Sequence, residues 1–142
     1  LGADIVINRK KESISAVLAG NPIDIALDCV GGPALGDCLD TMARGGRWIL
    51  IATLGGNQTE IPLRSVLTKG LRLIGSTLRS RSTEMKGRIL ADLESKLWPL
   101  FENRQLLPLI HCVLPMTEAA EAHRILEQQE NIGKVILEVI RQ

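Results

Sequence analysis

Apolar runs separated by helix-like segments constrain the fold of this chain more than any other feature. The runs are "IDIALDCV", "RWILIATL" and "LRLIGSTL", and a shorter β-branched run, "DIVIN", precedes them. The four runs start roughly 20–25 residues apart, which is a rhythm typical of β-α-β units. They lack a polar alternation, so each strand is predicted to have two buried faces. The sequence therefore predicts an α/β fold with a mainly parallel sheet that helices cover on both sides.

The connecting segments carry the signals of helices. "KKESISAVLAG" is predicted to be helical and to end at Gly20, and "LRSVLTKG" is a short helical turn. Pro33 suits the first position of a further helix, because its fixed φ is already helical. Gly45 and Gly46 are predicted to close that helix before the next strand.

The pattern changes after the fourth run. A long helix is predicted from about Ser82 to Phe101. Its apolar stripe, at helical spacing, consists of Met85, Ile89, Leu93 and Leu97. A strand, "LLPLIHCVLP", a helix, "EAAEAHRILEQQ", and a last strand, "GKVILEV", follow it. We predict two domains, one at 1–103 and a C-terminal segment at 104–142.

Composition excludes several classes of function. The net charge is +1, and the chain has one Phe, two Trp and no Tyr, so nucleic-acid binding is not expected. No apolar stretch approaches the roughly 20 residues that span a bilayer. The three cysteines have no C-x-x-C spacing, which argues against a disulfide framework and a zinc site. We predict a cytoplasmic protein that binds neither nucleic acid nor membrane.

The stretch "DCVGGPALGD" raises the question of a phosphate-binding loop. It lacks the G-x-G-x-x-G spacing of a dinucleotide loop. Gly31 and Gly36 have P-loop spacing, but Asp37 and Cys38 follow where Lys and Ser or Thr belong. The stretch is therefore interpreted as a turn into a helix. Val30 and Gly31 remain candidates for ligand contact, because ligands of open α/β sheets bind at the carboxyl ends of the strands.

Two basic clusters leave alternatives open. "NRKKES" is either a solvated helix start or, in a dinucleotide fold, the place where an Arg meets an adenosine 2′-phosphate. "RSRS", at 79–82, is either solvated or a contact for an anionic ligand. His111 and His123 have no neighbours in sequence that suggest a metal site or a catalytic triad. No nucleophile with its base is recognisable, so any chemistry is expected to belong to a cofactor.

Five segments together resemble a known enzyme superfamily. They are "LGADIVIN", "IALDCVGG", "ARGGRWILIATLGG", "KGLRLIGSTLRSR" and "AEAHRILEQQENIGKVILEV". The series is similar to the C-terminal part of medium-chain dehydrogenases/reductases, and most similar to their zinc-free branch, the zeta-crystallin-like NADPH:quinone oxidoreductases. The resemblance covers essentially the whole chain. It implies a partial Rossmann fold that lacks its first two strands, with a C-terminal helix-strand segment returning to a GroES-like catalytic domain.

The resemblance also implies positions that contact NADP(H). They are Arg9, Val30, Gly31, Ile51, Ala52, Thr53, Gly75, Ser76, Thr77, Leu78, Arg79, Asn131 and Lys134. Arg9 stands where relatives often have Tyr beside the 2′-phosphate, and residues 30–31 pass the adenosine-side ribose. Residues 51–53 and 75–77 follow two strands that approach the nicotinamide. The terminal N-x-G-K, at 131–134, lies near the cofactor cleft in relatives. No catalytic residue and no metal ligand is implied.

The resemblance creates a topological problem for the first strand. In a sheet ordered 3-2-1-4-5-6, "DIVIN" would be strand 3 and "IALDCV" strand 4, with two absent strands between them. The first strand must then stay loose, move beside strand 4 or pair with another chain. We expect rearrangement or self-association, such as a homodimer, because an exposed sheet edge is a template for pairing.

The resemblance implies that the parent protein transfers hydride from NADPH to a quinone or an α,β-unsaturated carbonyl. The isolated chain is expected to be inactive, because the nucleotide loop is absent. A zinc alcohol dehydrogenase of the same superfamily is one alternative. A non-catalytic module that binds a nucleotide or a protein partner is the other.

Overall fold

The computed structural model describes residues 2–139 and divides into two compact units. The first unit comprises Leu1–Arg81 and the second Ser82–Gln142. The predicted domain boundary between residues 103 and 104 is a different division and stays a prediction.

The first unit is built on a parallel sheet of three strands. They are β1 (Ile23–Asp28), β2 (Met42–Leu50) and β3 (Arg72–Gly75). The sheet order is β1-β2-β3, and Asp28, Leu50 and Gly75 lie side by side at one end of it. The α/β class with a parallel sheet is therefore confirmed, and the three long apolar runs are its strands.

Short helices connect these strands. They are α1 (Ile14–Val17), α2 (Pro33–Cys38), which continues as a 3-10 turn at Leu39–Thr41, and α3 (Leu63–Lys69). Ser13 caps α1, since its Oγ accepts a hydrogen bond from the Ala16 amide at 3.4 Å. Gly70, with φ of +62°, ends α3 in the left-handed conformation that glycine adopts without strain.

The segment at 4–8 differs from its prediction. It forms no strand, and Val6 within it is 83% exposed. A parallel strand requires a neighbour that pairs with it, and among residues 2–139 the sheet ends at β1. The segment therefore stays outside the sheet, and the alternative in which it moves beside β1 is wrong for this structure.

The helix that starts at Pro33 is shorter than predicted. It ends by Thr41, and β2 begins at Met42, before the glycine pair at 45–46. Ile23 pairs with Met42 and Ile25 with Arg47, so an irregularity in β2 absorbs the residues between 42 and 47. Gly45 takes φ of +76° within that irregularity and does not cap the helix.

One face of the sheet packs against the helices and the other does not. Trp48 shares its face with Ala26 and Leu73, its direct neighbours on β1 and β3. The buried core on that side consists of Leu35, Cys38, Leu39, Met42 and Trp48. On the opposite face, Ile25 is 51% and Leu27 69% exposed. Within the described residues of the first unit (2–81), helices therefore pack on one face of the sheet, whereas the sequence predicted helices on both.

The second unit contains a long helix and a two-stranded parallel sheet. Its elements are α4 (Thr83–Glu102), β4 (Ile110–Pro115), α5 (Ala119–Glu127) and β5 (Lys134–Glu138). The long helix is confirmed within a residue at each end. Ser82 caps it by accepting a hydrogen bond from the Met85 amide at 3.2 Å. Between residues 2 and 139, no helix combines the length and the apolar character that crossing a bilayer requires.

Candidate functional site

The carboxyl ends of the three parallel strands bring most of the sequence-predicted site residues to one edge. We call the segments 28–32, 51–56 and 75–79 the carboxyl edge. The Ile51 amide donates a hydrogen bond to the Asp28 carbonyl at 2.8 Å, and the Ser76 amide donates one to the Leu50 carbonyl at 2.9 Å. These bonds continue the sheet ladders past the last strand residues. The order of the three segments along the edge is therefore the order of the strands.

Asp28 ends β1 with a fully bonded, buried carboxylate. Its Oδ1 accepts hydrogen bonds from the amides of Val30, at 2.8 Å, and of Gly31, at 2.9 Å. Its Oδ2 accepts a hydrogen bond from the indole Nε1 of Trp48 at 3.0 Å. The residue is 9% exposed. This polar group is tolerated at the margin of the core because each oxygen has a donor.

The loop after β1 and the loop after β2 pack backbone against backbone. The Gly55 amide donates a hydrogen bond to the Val30 carbonyl at 2.7 Å. A Cβ added at Gly31 would lie 3.2 Å from the Gly56 carbonyl oxygen, and one at Gly32 would lie 2.6 Å from the Gly55 carbonyl oxygen. Glycine is needed here because the two loops leave no room for a side chain. The glycines quoted from the sequence thus contact another loop of the protein.

Several side chains in the second and third segments of this edge are open to solvent. Ile51 is 45% and Leu78 56% exposed, and Thr53 is exposed as well. A Cβ added at Gly75 would meet nothing within 4 Å, so the end of β3 borders open space. The edge therefore offers apolar side chains and backbone groups to a ligand.

Arg9 lies close to the carboxyl end of β1. It lines a hollow of about 250 Å³ together with Val30, Ala34 and Trp48. Arg9 also borders a second hollow, of about 370 Å³, with Ser13 and Asp37. The structure therefore brings Arg9 and Val30 to one hollow, although the segment that carries Arg9 is not a strand.

A larger cavity lies under the loop at 57–61, and sequence reasoning missed it. Its volume is about 760 Å³, and β2, β3 and α2 contribute Trp48, Leu50, Gly75 and Leu35 to its walls. The loop adds the side chains of residues 57–61. The one available signal was a polar loop directly after a strand, since such loops lie at the carboxyl end of a parallel sheet. The Asp28 carboxylate was also missed, although the stretch "DCVGGPALGD" begins with it.

Asn131 and Lys134 belong to the second unit, where they form the turn into β5. The Asn131 Nδ2 donates a hydrogen bond to the Gly133 carbonyl at 2.8 Å, and the Lys134 amide donates one to the Leu109 carbonyl at 2.8 Å. A Cβ at Gly133 would clash with the Leu109 carbonyl oxygen, so the turn needs glycine. Within its own unit, this turn geometry explains Asn131 and Gly133 of the N-x-G-K sequence. A contact of these residues with a cofactor stays a prediction.

Few groups at the edge have chemistry of their own. Burial raises the pKa of the Cys38 thiol, and the charges of Asp37 and Asp28 raise it further, which favours an inert thiol. Among residues 2–139, no three His, Cys, Asp or Glu side chains gather closely enough to hold a metal ion.

A parallel sheet with glycine-rich loops at its carboxyl edge defines a Rossmann-like α/β domain. The chain belongs to the zinc-binding dehydrogenase family, whose model matches residues 1–137. It is 29% identical over 141 residues to the quinone oxidoreductase of Sus scrofa, in an alignment that covers 96% of this chain and 41% of that protein.

Two solved structures share the fold. An NAD-dependent alcohol dehydrogenase superimposes with a TM-score of 0.68 at 27% identity, over 98% of this chain and 39% of that one. The quinone oxidoreductase of Thermus thermophilus, solved alone and with NADPH, superimposes with a TM-score of 0.71 at 25% identity, over 89% and 40% of the two chains. The chain spans about two fifths of the length of the curated relatives that it matches.

Proposed function

We propose that this chain is the cofactor-domain part of an NADPH-dependent oxidoreductase that reduces a quinone or an α,β-unsaturated carbonyl. The observation that carries the proposal is the carboxyl edge, where three loops after parallel strands meet in the order of the strands. The quinone oxidoreductase relatives support the choice of reaction. When bound, NADPH would supply the hydride.

The residues of the edge fit a dinucleotide in their chemistry. The backbone at 30–31 would hold the adenosine-side ribose, and residues 51–53 and 75–79 would hold the nicotinamide half. The open space beside Gly75 and the exposed side chain of Ile51 leave room for a flat ring. The chain's own part in the reaction is to orient the ring and to exclude water from one side of it.

Arg9 supports NADPH over NADH as the cofactor. A guanidinium pairs with a phosphate through charge-assisted hydrogen bonds, and the hollow that Arg9 shares with Val30 adjoins the proposed ribose position. We therefore expect the chain to bind NADPH more tightly than NADH.

A zinc alcohol dehydrogenase is the second candidate within the family. The family description and an alcohol dehydrogenase neighbour favour it. The described residues include no cluster of metal ligands, so no step through zinc can be derived from them. Because these 142 residues contain no G-x-G-x-x-G loop, we propose that the isolated chain does not catalyse the reaction by itself. Turnover of NADPH with a quinone by the purified chain would contradict this.

The experiment that tests the proposal is a titration of the purified chain with NADPH and NADH, followed by nucleotide fluorescence. The test variant is Gly75→Leu, which places a bulky side chain in the open space at the edge. We expect it to weaken NADPH binding about tenfold or more. Gly87→Leu is the matched control, because a Cβ there also meets nothing within 4 Å but lies on α4. Equal binding by both variants, or no nucleotide binding by the wild-type chain, would overturn the proposal.

Two further properties belong to the proposal. The parent protein is proposed to be a cytoplasmic homodimer. The isolated chain is proposed to associate with itself through the exposed edge of its sheet.

A further inference from the structure

We infer that Asp28 is a positioning residue that holds the loop after β1 against the loop after β2. The inference rests on the proposed function for what those loops contact, and on geometry alone for how they are held. Asp28 itself is buried, with 9% of its surface exposed, and it borders the hollow that Arg9 and Val30 line. It would act through the backbone of residues 30–31.

The first step is the fixing of the β1 loop. One carboxylate oxygen accepts hydrogen bonds from two consecutive amides, those of Val30 and Gly31. A carboxylate has only acceptors, so both of its oxygens require donors when it is buried. The second oxygen meets the indole N–H of Trp48, on the neighbouring strand. The carboxylate is therefore oriented by β2 while it orients the loop of β1.

The second step is the transfer of this constraint to the β2 loop. With the Val30 amide fixed, the Val30 carbonyl accepts the hydrogen bond of the Gly55 amide at 2.7 Å. Gly31 and Gly32 then lie against the carbonyls of Gly56 and Gly55 with no room for a Cβ. The two loops can move only together, because each fills the space beside the other. Asp28 thereby sets the spacing of two of the three segments that form the edge.

The test measures amide hydrogen exchange by NMR on the 142-residue chain. In Asp28→Asn, one orientation of the amide group points its NH₂ at the Trp48 indole N–H, and the other points it at the loop amides. Both orientations oppose donor to donor. We expect the Gly55 amide, which does not contact Asp28, to exchange about tenfold faster, while the Ser76 amide is unchanged. The Ser76 amide is the internal reference because it bonds to Leu50 on the far side of β2.

A matched control separates positioning from general destabilisation. Leu39→Ala removes a fully buried apolar side chain of the core. It should raise the exchange rates of the Gly55 and Ser76 amides by the same factor. The inference is overturned if Asp28→Asn changes the ratio of Gly55 to Ser76 exchange no more than Leu39→Ala does.

A double variant separates positioning by Asp28 from general destabilisation by the direction in which the Gly55 exchange rate changes. Trp48→Phe removes the indole donor, so in a double variant the carboxamide introduced by Asp28→Asn can turn its oxygen to the loop amides without conflict. Exchange of the Gly55 amide should therefore be slower in Asp28→Asn/Trp48→Phe than in Asp28→Asn alone. Faster exchange in the double variant would contradict the inference. If Asp28→Asn fails to fold, Trp48→Phe alone should still raise the Gly55 exchange rate relative to that of Ser76. An unchanged ratio of the two rates would contradict the positioning role of Asp28.

The link to the cofactor is tested separately. We expect Asp28→Asn to weaken NADPH binding about tenfold relative to Leu39→Ala. Unchanged binding, together with faster Gly55 exchange, would refute the effect on the cofactor. If the wild-type chain binds no NADPH, the proposed function fails, and the exchange experiment alone decides the role of Asp28.

Discussion

Gly32 has a backbone conformation that other residues adopt only with strain. Its φ of +63° and ψ of −152° lie in a region that is essentially restricted to glycine. We expect Gly32→Ala to destabilise the chain by about 1–3 kcal/mol through the backbone alone. The clash of the new Cβ with the Gly55 carbonyl, at 2.6 Å, adds to this loss. Urea unfolding followed by tryptophan fluorescence measures the effect.

Gly45→Ala is the control for this prediction. Gly45 has φ of +76° but nothing within 4 Å of an added Cβ, so only the left-handed penalty of about 1–2 kcal/mol applies. An equal loss of stability in both variants would show that the contact between the two loops contributes nothing.

At the scale of elements, α5 is linked to the turn that follows it by one arginine. Arg124 bonds both carboxylate oxygens of Glu121, at 2.6 and 2.7 Å, and both oxygens of Glu130, at 3.0 and 3.1 Å. The hydrogen bonds of Arg124 lower the pKa of the Glu121 carboxyl. Because the folded pKa lies below the unfolded one, the pair stabilises the fold above the unfolded pKa. That stability is lost as the pH falls through the folded value.

We therefore expect acid to destabilise the wild-type chain more than an Arg124→Gln variant. The difference in melting temperature between wild type and variant should be largest at neutral pH. It should shrink as the pH falls below about 4.3, the ordinary pKa of a glutamate side chain. Thermal unfolding by circular dichroism between neutral and acidic pH measures it. A difference in melting temperature that is independent of pH would contradict the assignment. Arg88→Gln, which breaks a largely exposed pair with Glu84, is the control and should change the melting temperature little.

The sequence predicted elements well where one local signal decides them. Three apolar runs became β1, β2 and β3, and the capped stripe at 82–101 became α4, because burial and capping act within each segment. The prediction of a strand at 4–8 was wrong for the opposite reason. Its composition favours a strand, but a strand exists only when a partner pairs with it, and pairing is not written in the segment itself.

The candidate site was predictable by topology but not by side-chain contact. Residues 30–31 could be named because the loops after parallel strands meet at one edge. Residues 51–53 and 75–79 were named from the resemblance to medium-chain dehydrogenases/reductases. The hydrogen bonds of Asp28 and the cavity under the loop at 57–61 could not be predicted in that way. Their importance arises from the Trp48 indole, some twenty residues from Asp28 in sequence, and from a cavity that forms only when α2 covers β2 and β3. The spacing of residues in the sequence does not predict contacts between residues that lie so far apart.

At the scale of the whole molecule, β1 presents an association surface, because among the described residues no strand pairs with its outer edge. Ile25 and Leu27 are large, apolar and exposed on an edge strand, and an unpaired parallel edge offers backbone groups to another chain. We expect the purified chain to form dimers or larger species, and Leu27→Lys to shift the equilibrium towards the monomer. A charge at the edge opposes association because it must be desolvated in the contact. Sedimentation velocity over a range of concentrations measures the shift.

Val6→Lys is the control for self-association, because Val6 is also apolar and more exposed but lies outside the sheet. If association proceeds through the edge of β1, Leu27→Lys should reduce it and Val6→Lys should not. A reversed order would instead point to the segment at 4–8 pairing with another copy, as its β-branched sequence permits. A wild-type chain that stays monomeric at all concentrations would refute self-association. It would also mean that exposed apolar side chains on a short edge strand do not suffice to bring two copies together.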